Sequence, residues 1–219
     1  IGTNSIQRYE VNAYGKRINQ IDYIEGEEGK TIKLTIDSEI QKLTQELLKD
    51  KAGSISVMDI YTGEIIAMNS SPAFDPNLFL YGVDFQKWNE IKKDPLKPLL
   101  NKTLSGLYAP GSTIKPIVAL SALENDVLST KMQVRCQGKI EMYGHTYHCW
   151  KKKGHGYMSL KNAIKQSCDI YFYEASRLLG VDRLNETAMK FGLGNQVLGD
   201  YFPNEKKGVV PSTKWKKEN

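Results

Sequence analysis

Two short patterns hold the residues best placed to do chemistry. In APGSTIKP, residues 109–116, Ser112 and Lys115 are three apart; in QSCDIY, residues 166–171, Ser167 and Asp169 flank Cys168. Residues three apart share one face of a helix. The turn residues Tyr108-Ala109-Pro110-Gly111 predict a helix beginning at Ser112. Pro116 is tolerable there because the first turn has no backbone N–H bonds to lose. Ser112 would stand at the positive end of that helix, its own N–H turned outward toward an oxyanion. A desolvated lysine, or one near other cations, gives up its proton more readily, and a neutral lysine beside a serine can act as its base. The same residues also read as an N-cap serine with a snorkelling lysine, and as a polar turn between helices.

A second grouping lies around Ser167. All three cysteines (Cys136, Cys149, Cys168) and all three histidines (His145, His148, His155) fall within 33 of the 219 residues. One tetrahedral zinc held by Cys136, Cys149, His155 and Cys168 is the sharpest reading. Its spacing, C-x12-C-x5-H-x12-C, is not the tight C-x2-C knuckle. His155 is preferred among the histidines because Gly154 and Gly156 allow the backbone to bend it inward. A Cys136–Cys149 disulfide, or buried thiols acting as small hydrophobes, remain alternatives.

Other elements must position these residues. Arg8 to Ile24 reads as two strands about a Tyr14-Gly15 turn, EGEEG at 25–29 as a linker, and KTIKLTI at 30–36 as a strand. SEIQ at 38–41 is a capping box ahead of Leu43, Leu47 and Leu48, predicting a helix to about Lys51. Residues 54–71 read as a hairpin joined at Tyr61-Thr62-Gly63, followed by a proline-bearing loop with a short helix near Phe85 to Lys92. Ser159 caps a helix that breaks near Ser167, and a second helix runs to Gly180.

Composition is that of an ordinary globular chain: 40% hydrophobic, 25% charged, net charge +5. That charge is too mild for a nucleic-acid binder, and no apolar run approaches the ~18 residues of a membrane span.

Taken in order, RYEVNAYGKRI, LTID-x-x-IQ, GSISVMDIYTGEIIAMNSSPAFDPN, APGSTIKP, WKKKGHG and SCD-x-Y-F-Y resemble the transpeptidase of class B penicillin-binding proteins. The WKKKGHG run and S-x-D are most similar to the elongation-specific group, penicillin-binding protein 2. The resemblance implies an α+β fold, an antiparallel sheet flanked by helices, with a helical subdomain carrying S-x-x-K and S-x-D. It implies residues 1–28 as the end of a non-catalytic pedestal and 29–219 as the N-terminal portion of the transpeptidase domain.

It also implies a serine D-Ala-D-Ala transpeptidase that crosslinks peptidoglycan stem peptides and is the target of β-lactams. Ser112 would be the nucleophile and Lys115 its base, with Ser167 as proton relay and Asp169 orienting the corner. The zinc would be structural, and no organic cofactor is implied. Partners would be a SEDS-class membrane glycan polymerase and other elongation-complex proteins, with no nucleic acid. The location would be the periplasmic face of the inner membrane, through an N-terminal anchor absent from this chain. A penicillin-sensing receptor, a serine β-lactamase and a non-catalytic scaffold are the competing readings.

One departure is plain. The family's third motif, K-[ST]-G, is missing, since Lys152-Lys153-Gly154 and Lys206-Lys207-Gly208 have the wrong middle residue. The chain therefore reads as a fragment that acylates slowly or not at all.

Overall fold

The computed structural model describes residues 2–80 and 82–219; residue 1 of the expected 1–28 segment lies outside them. The chain divides into two compact units: the N-terminal segment as far as Leu47 with Ile55–Asn69, and Leu48–Ser54 with Ser70–Asn219.

In the first unit β1 (Ile6–Val11) and β2 (Arg17–Ile24) pair antiparallel, with Ile6 opposite Ile24 and Val11 opposite Arg17. The Asn12 side chain closes the turn by accepting from the Tyr14 and Lys16 N–H groups, and Gly15 takes φ +76° as the turn requires. The strand expected at 30–36 does not form. The Thr35 hydroxyl donates to the Ile65 carbonyl at 2.6 Å, where a ladder would use backbone N–H groups, and Ile32 and Leu34 stay exposed. Helix α1 (Ser38–Leu47) is capped one residue earlier than the capping box predicts: the Asp37 carboxylate accepts from the Glu39 and Ile40 N–H groups. It also ends short of Lys51, because Asp50 adopts φ +60° in the closing turn.

Strands β3 (Gly53–Met58) and β4 (Ile65–Ser71) form the expected hairpin, in which Asp59 accepts from the Tyr61 and Thr62 N–H groups. Gln41 of α1 serves β4 as a partner strand would, accepting from Met68 N–H at 2.8 Å and donating to Met68 C=O at 3.0 Å.

The second unit carries α2 (Phe85–Lys93), capped by Asp84, and α3 (Lys102–Ser105), capped by Asn101. Lys102 is buried, and its ammonium donates to the Lys97 carbonyl at 3.1 Å. Burial pushes its pKa down against the opposing charge of Asp94. A 3-10 turn over Gly111–Ile114 leads into α4 (Lys115–Glu124), so Ser112 stands on that turn, ahead of the α-helix rather than at its first residue. Strands β5 (Gln133–Cys136), β6 (Lys139–Met142), β7 (His145–His148) and β8 (Gly156–Ser159) pair as β5–β8 and β6–β7. Helices α5 (Leu160–Lys165), α6 (Asp169–Leu179), α7 (Val181–Lys190) and α8 (Thr213–Glu218) follow. The fold is α+β, as expected, but among the described residues the antiparallel sheet takes the form of four separate two-stranded pairs.

The core of this unit packs α4 against α6 and α7, with α6 also against β5. Ala119, Ala122 and Ala175 are small enough to let the helices close, while Ile170, Tyr171 and Phe172 fill the interior. Thr187 of α7 donates to the Ser121 hydroxyl at 2.8 Å, and Ser121 donates to Arg183 C=O, so these buried hydroxyls satisfy one another.

Candidate active site and thiol cluster

The α5–α6 break places Ser167 at φ +49°, a left-handed conformation that turns it away from both helices. Its hydroxyl donates to Ser112 Oγ at 3.0 Å. Lys115, buried in the first turn of α4, directs its ammonium at three acceptors: Ser167 Oγ at 3.0 Å, Ser167 C=O at 2.9 Å and Asp169 Oδ1 at 2.7 Å. An ammonium has three N–H donors, so all three are used, and the Phe172 ring lies 5.6 Å from Nζ. Ser112 itself is exposed, reachable by a large substrate. Segments more than 50 residues apart thus bring Ser112, Lys115, Ser167 and Asp169 together.

The arrangement differs in one respect from the direct Ser112–Lys115 pairing suggested by S-x-x-K. Among the described hydrogen bonds Lys115 makes none to Ser112, and Ser167 lies between them. Hydroxyl protons rotate to suit their neighbours, so this chain can run in either direction.

Trp150 was not singled out by its type or spacing, yet it holds this corner. Its backbone N–H donates to Asp169 Oδ2 at 2.9 Å and its indole N–H to Gln166 C=O at 3.0 Å. Burial works against ionisation of Asp169, but the hydrogen bonds from Lys115 and Trp150 outweigh it and hold the carboxyl below its usual range. The only hint in the sequence was position, immediately after Cys149 in the WKKKGHG run.

Next to this corner, the sulfurs of Cys136, Cys149 and Cys168 and one ring nitrogen of His155 all lie within 4.8 Å of one another. The β5–β8 register sets Cys136 opposite Gly156, beside His155. Gly154 and Gly156 take φ +77° and +76°, and a Cβ on Gly154 would sit 2.3 Å from the Cys136 carbonyl, so the backbone comes in closer than a side chain permits. His145 and His148 lie on β7, outside the group.

His155 Nδ1 is 3.5 Å from both Cys136 Sγ and Cys149 Sγ. A tetrahedral zinc with Zn–S ~2.3 Å and Zn–N ~2.0 Å requires an S···N edge of about that length, so the donor set fits. Burial, then the charge of Lys151, push the His155 pKa down, in the direction of the neutral imidazole that a metal ligand requires. Burial pushes the Cys168 thiol up to about 12.

The family model described as the penicillin binding protein transpeptidase domain matches residues 53–219. The Escherichia coli K12 peptidoglycan D,D-transpeptidase MrdA is 34% identical over 219 residues, an alignment covering 99% of this chain and 34% of that protein. Pseudomonas aeruginosa PBP2, solved in complex with WCK 5153, is 39% identical with a TM-score of 0.81, over 88% of this chain and 44% of that one. Helicobacter pylori PBP2, solved with MreC, is 32% identical with a TM-score of 0.81, over 98% of this chain and 40% of that one. The chain spans about a third of the length of MrdA. With most of its residues matched by the family model and the S-x-x-K and S-x-D residues gathered in one corner, the chain belongs to the penicillin-binding protein transpeptidase family.

Proposed function

We propose that this chain is part of an elongation-specific peptidoglycan D,D-transpeptidase working through an acyl-enzyme on Ser112. The observation that carries the reading is the continuous chain from Ser112 through Ser167 to Lys115 and Asp169. Ser112 Oγ attacks the carbonyl of the D-Ala-D-Ala bond as its proton passes to Ser167 and the Ser167 proton to Lys115, which must first have given up one of its own. Collapse of the tetrahedral intermediate breaks the peptide bond. The proton returns through Ser167 to the leaving nitrogen, and D-alanine departs. An amine of a neighbouring stem then attacks the acyl ester, forming the crosslink and restoring Ser112. Asp169 holds Lys115 in place while Trp150 holds Asp169.

A β-lactam would be trapped at the first ester. A receptor or β-lactamase would share S-x-x-K, and deacylation rate separates a β-lactamase from the transpeptidase: a transpeptidase holds the penicilloyl ester, whereas a β-lactamase hydrolyses it and turns over. Release of D-alanine from a labelled pentapeptide by the intact protein, abolished in Ser112→Ala, tests the reaction itself.

Cys136, Cys149, His155 and Cys168 would hold a structural zinc with no open water position. Three thiolates and one Zn²⁺ leave a net charge of about −1, beside which Lys151 is a favourable neighbour. Bound there, the ion would contribute folding energy rather than chemistry. About one zinc and three titratable thiols per chain are expected, with a lower melting temperature after chelation. No metal and one thiol would mean a Cys136–Cys149 disulfide; no metal and three thiols, simple packing.

The remaining assignments follow the resemblance. Residues 1–28 end a pedestal, the intact protein is anchored facing the periplasm, and its partners are a SEDS-class polymerase and an MreC-like protein, the last supported by the Helicobacter pylori PBP2 solved with MreC.

A further inference from the structure

The relay hydroxyl stands on unusual backbone. Helix α5 ends at Lys165 and α6 begins at Asp169, so Ser167 occupies the short break between them. The break closes α5 as a Schellman turn: Ser167 N–H donates to Ile164 C=O at 3.1 Å and Cys168 N–H to Ala163 C=O at 2.9 Å. Glycine is the usual residue at the left-handed position of that turn. Here a serine holds it, at φ +49°. A residue with a Cβ keeps such a conformation only where its surroundings enforce it. Trp150, from another segment, supplies a bond on each side of it. Its indole N–H donates to Gln166 C=O, the carbonyl of the α5 cap residue, and its backbone N–H to Asp169 Oδ2, on the first residue of α6. The backbone around Trp150 is itself fixed: Cys149 N–H donates to Gly138 C=O and Gly154 N–H to Lys151 C=O, each at 2.8 Å. The Trp150 side is 64% exposed, so the ring fills little of the core; it is held by Gln166 and set edge-on to His155 at 5.2 Å.

We propose that Trp150 is a positioning residue for acyl transfer: its two N–H groups clamp the break and keep Ser167 left-handed, with its hydroxyl between Ser112 and Lys115. That hydroxyl meets Ser112 Oγ and Lys115 Nζ, each at 3.0 Å. Relaxing Ser167 to negative φ swings its Cα–Cβ bond and opens these contacts. The indole donor is the part of the clamp that substitution can remove. Without it the carbonyl of Gln166, a half-buried residue, takes a water instead, so the helices stay while the break loosens. Among the described hydrogen bonds Trp150 makes none to Ser112 or Lys115, so its effect runs through Ser167 and Asp169. This rests on the acyl-transfer reading, which makes Ser167 the proton relay. A Trp150 that only shaped the surface would, when replaced, change stability and leave the rate alone.

The test uses the full-length protein and labelled penicillin. Trp150→Phe keeps a ring and the backbone N–H but removes the indole N–H. Trp150→benzothienylalanine puts sulfur in place of that N–H and keeps the shape. Both should lower the first-order acylation rate at saturation about tenfold, the scale of one hydrogen bond, with the half-saturating concentration unchanged. Trp150→7-azatryptophan, which retains the N–H, should acylate at the wild-type rate. An unchanged limiting rate in the sulfur isostere would overturn the clamp, and that isostere decides should Trp150→Phe not fold. A raised half-saturating concentration with the limiting rate intact would also overturn it, making Trp150 a substrate contact. Equal slowing in the 7-azatryptophan variant would trace the effect to something other than the donor and overturn it too. Failure of the wild type to label on Ser112 would instead overturn the acyl-transfer reading beneath it.

Discussion

Strand pairs β1–β2 and β5–β8 carry similar outward chemistry and end differently. Each sets an arginine over a tyrosine ring, Arg17 on Tyr9 at 4.5 Å and Arg135 on Tyr157 at 5.9 Å. Each is antiparallel, β1–β2 over a longer register. Yet β1–β2 leaves Ile6, Val11, Ile18, Ile21 and Tyr23 half exposed or more, while β5–β8 buries Cys136 and Met158 almost completely. The difference is the partner: β5 packs against α6, and the inward residues join the helical core. Alternating sequence is enough to pair strands, but burial and precise side-chain placement need a second layer. The candidate site draws its geometry from the pair that has that layer.

The comparison can be broken by substitution. The largest effect is expected in the layered region, at Lys115. In the full-length protein Lys115→Ala takes away the proposed base and leaves Asp169 without its ammonium, and should slow penicillin acylation about 10²- to 10⁴-fold. A loss under tenfold would move the base elsewhere.

Next comes Phe172→Ala in α6, a nearly buried ring against the same core. It should cost about 3–5 kcal/mol of unfolding free energy, read from the shift in denaturant midpoint. The smallest effect belongs to the unlayered pair. Ile21→Ser on β2, where the side chain is 68% exposed, should change stability by no more than about 0.5 kcal/mol. A cost near that of Phe172→Ala would show that the hairpin face is covered in solution.

Local chemistry explains what could be read in advance. Turn residues at Tyr14-Gly15 and Tyr61-Thr62-Gly63, the break at Ser167 and the stop at Gly180 are short-range signals, and each lies where expected. The two glycines around His155 likewise pointed to an inward bend, and the backbone takes it.

Residues 30–36 failed for the opposite reason. Their β-branched run satisfies a strand pattern, but a side-chain bond from Thr35 replaced the ladder that only a tertiary partner could have supplied. The cap of α1 was misplaced because Asp37 and Ser38 are both good caps, and spacing to Glu39 and Ile40 favoured the aspartate. S-x-x-K put Ser112 and Lys115 on one face but gave no sign that Ser167 would stand between them. That contact joins residues 55 apart. Trp150 stayed hidden because its main role runs through a backbone N–H, which every residue but proline possesses.

The central claim is that Ser112 is the nucleophile of this corner. The most direct measurement is peptide mapping by mass spectrometry after brief exposure of the full-length protein to labelled penicillin. The account predicts one penicilloyl adduct per chain, on the peptide containing Ser112, and none in Ser112→Ala. An adduct on another residue, or one that survives in Ser112→Ala, would contradict it.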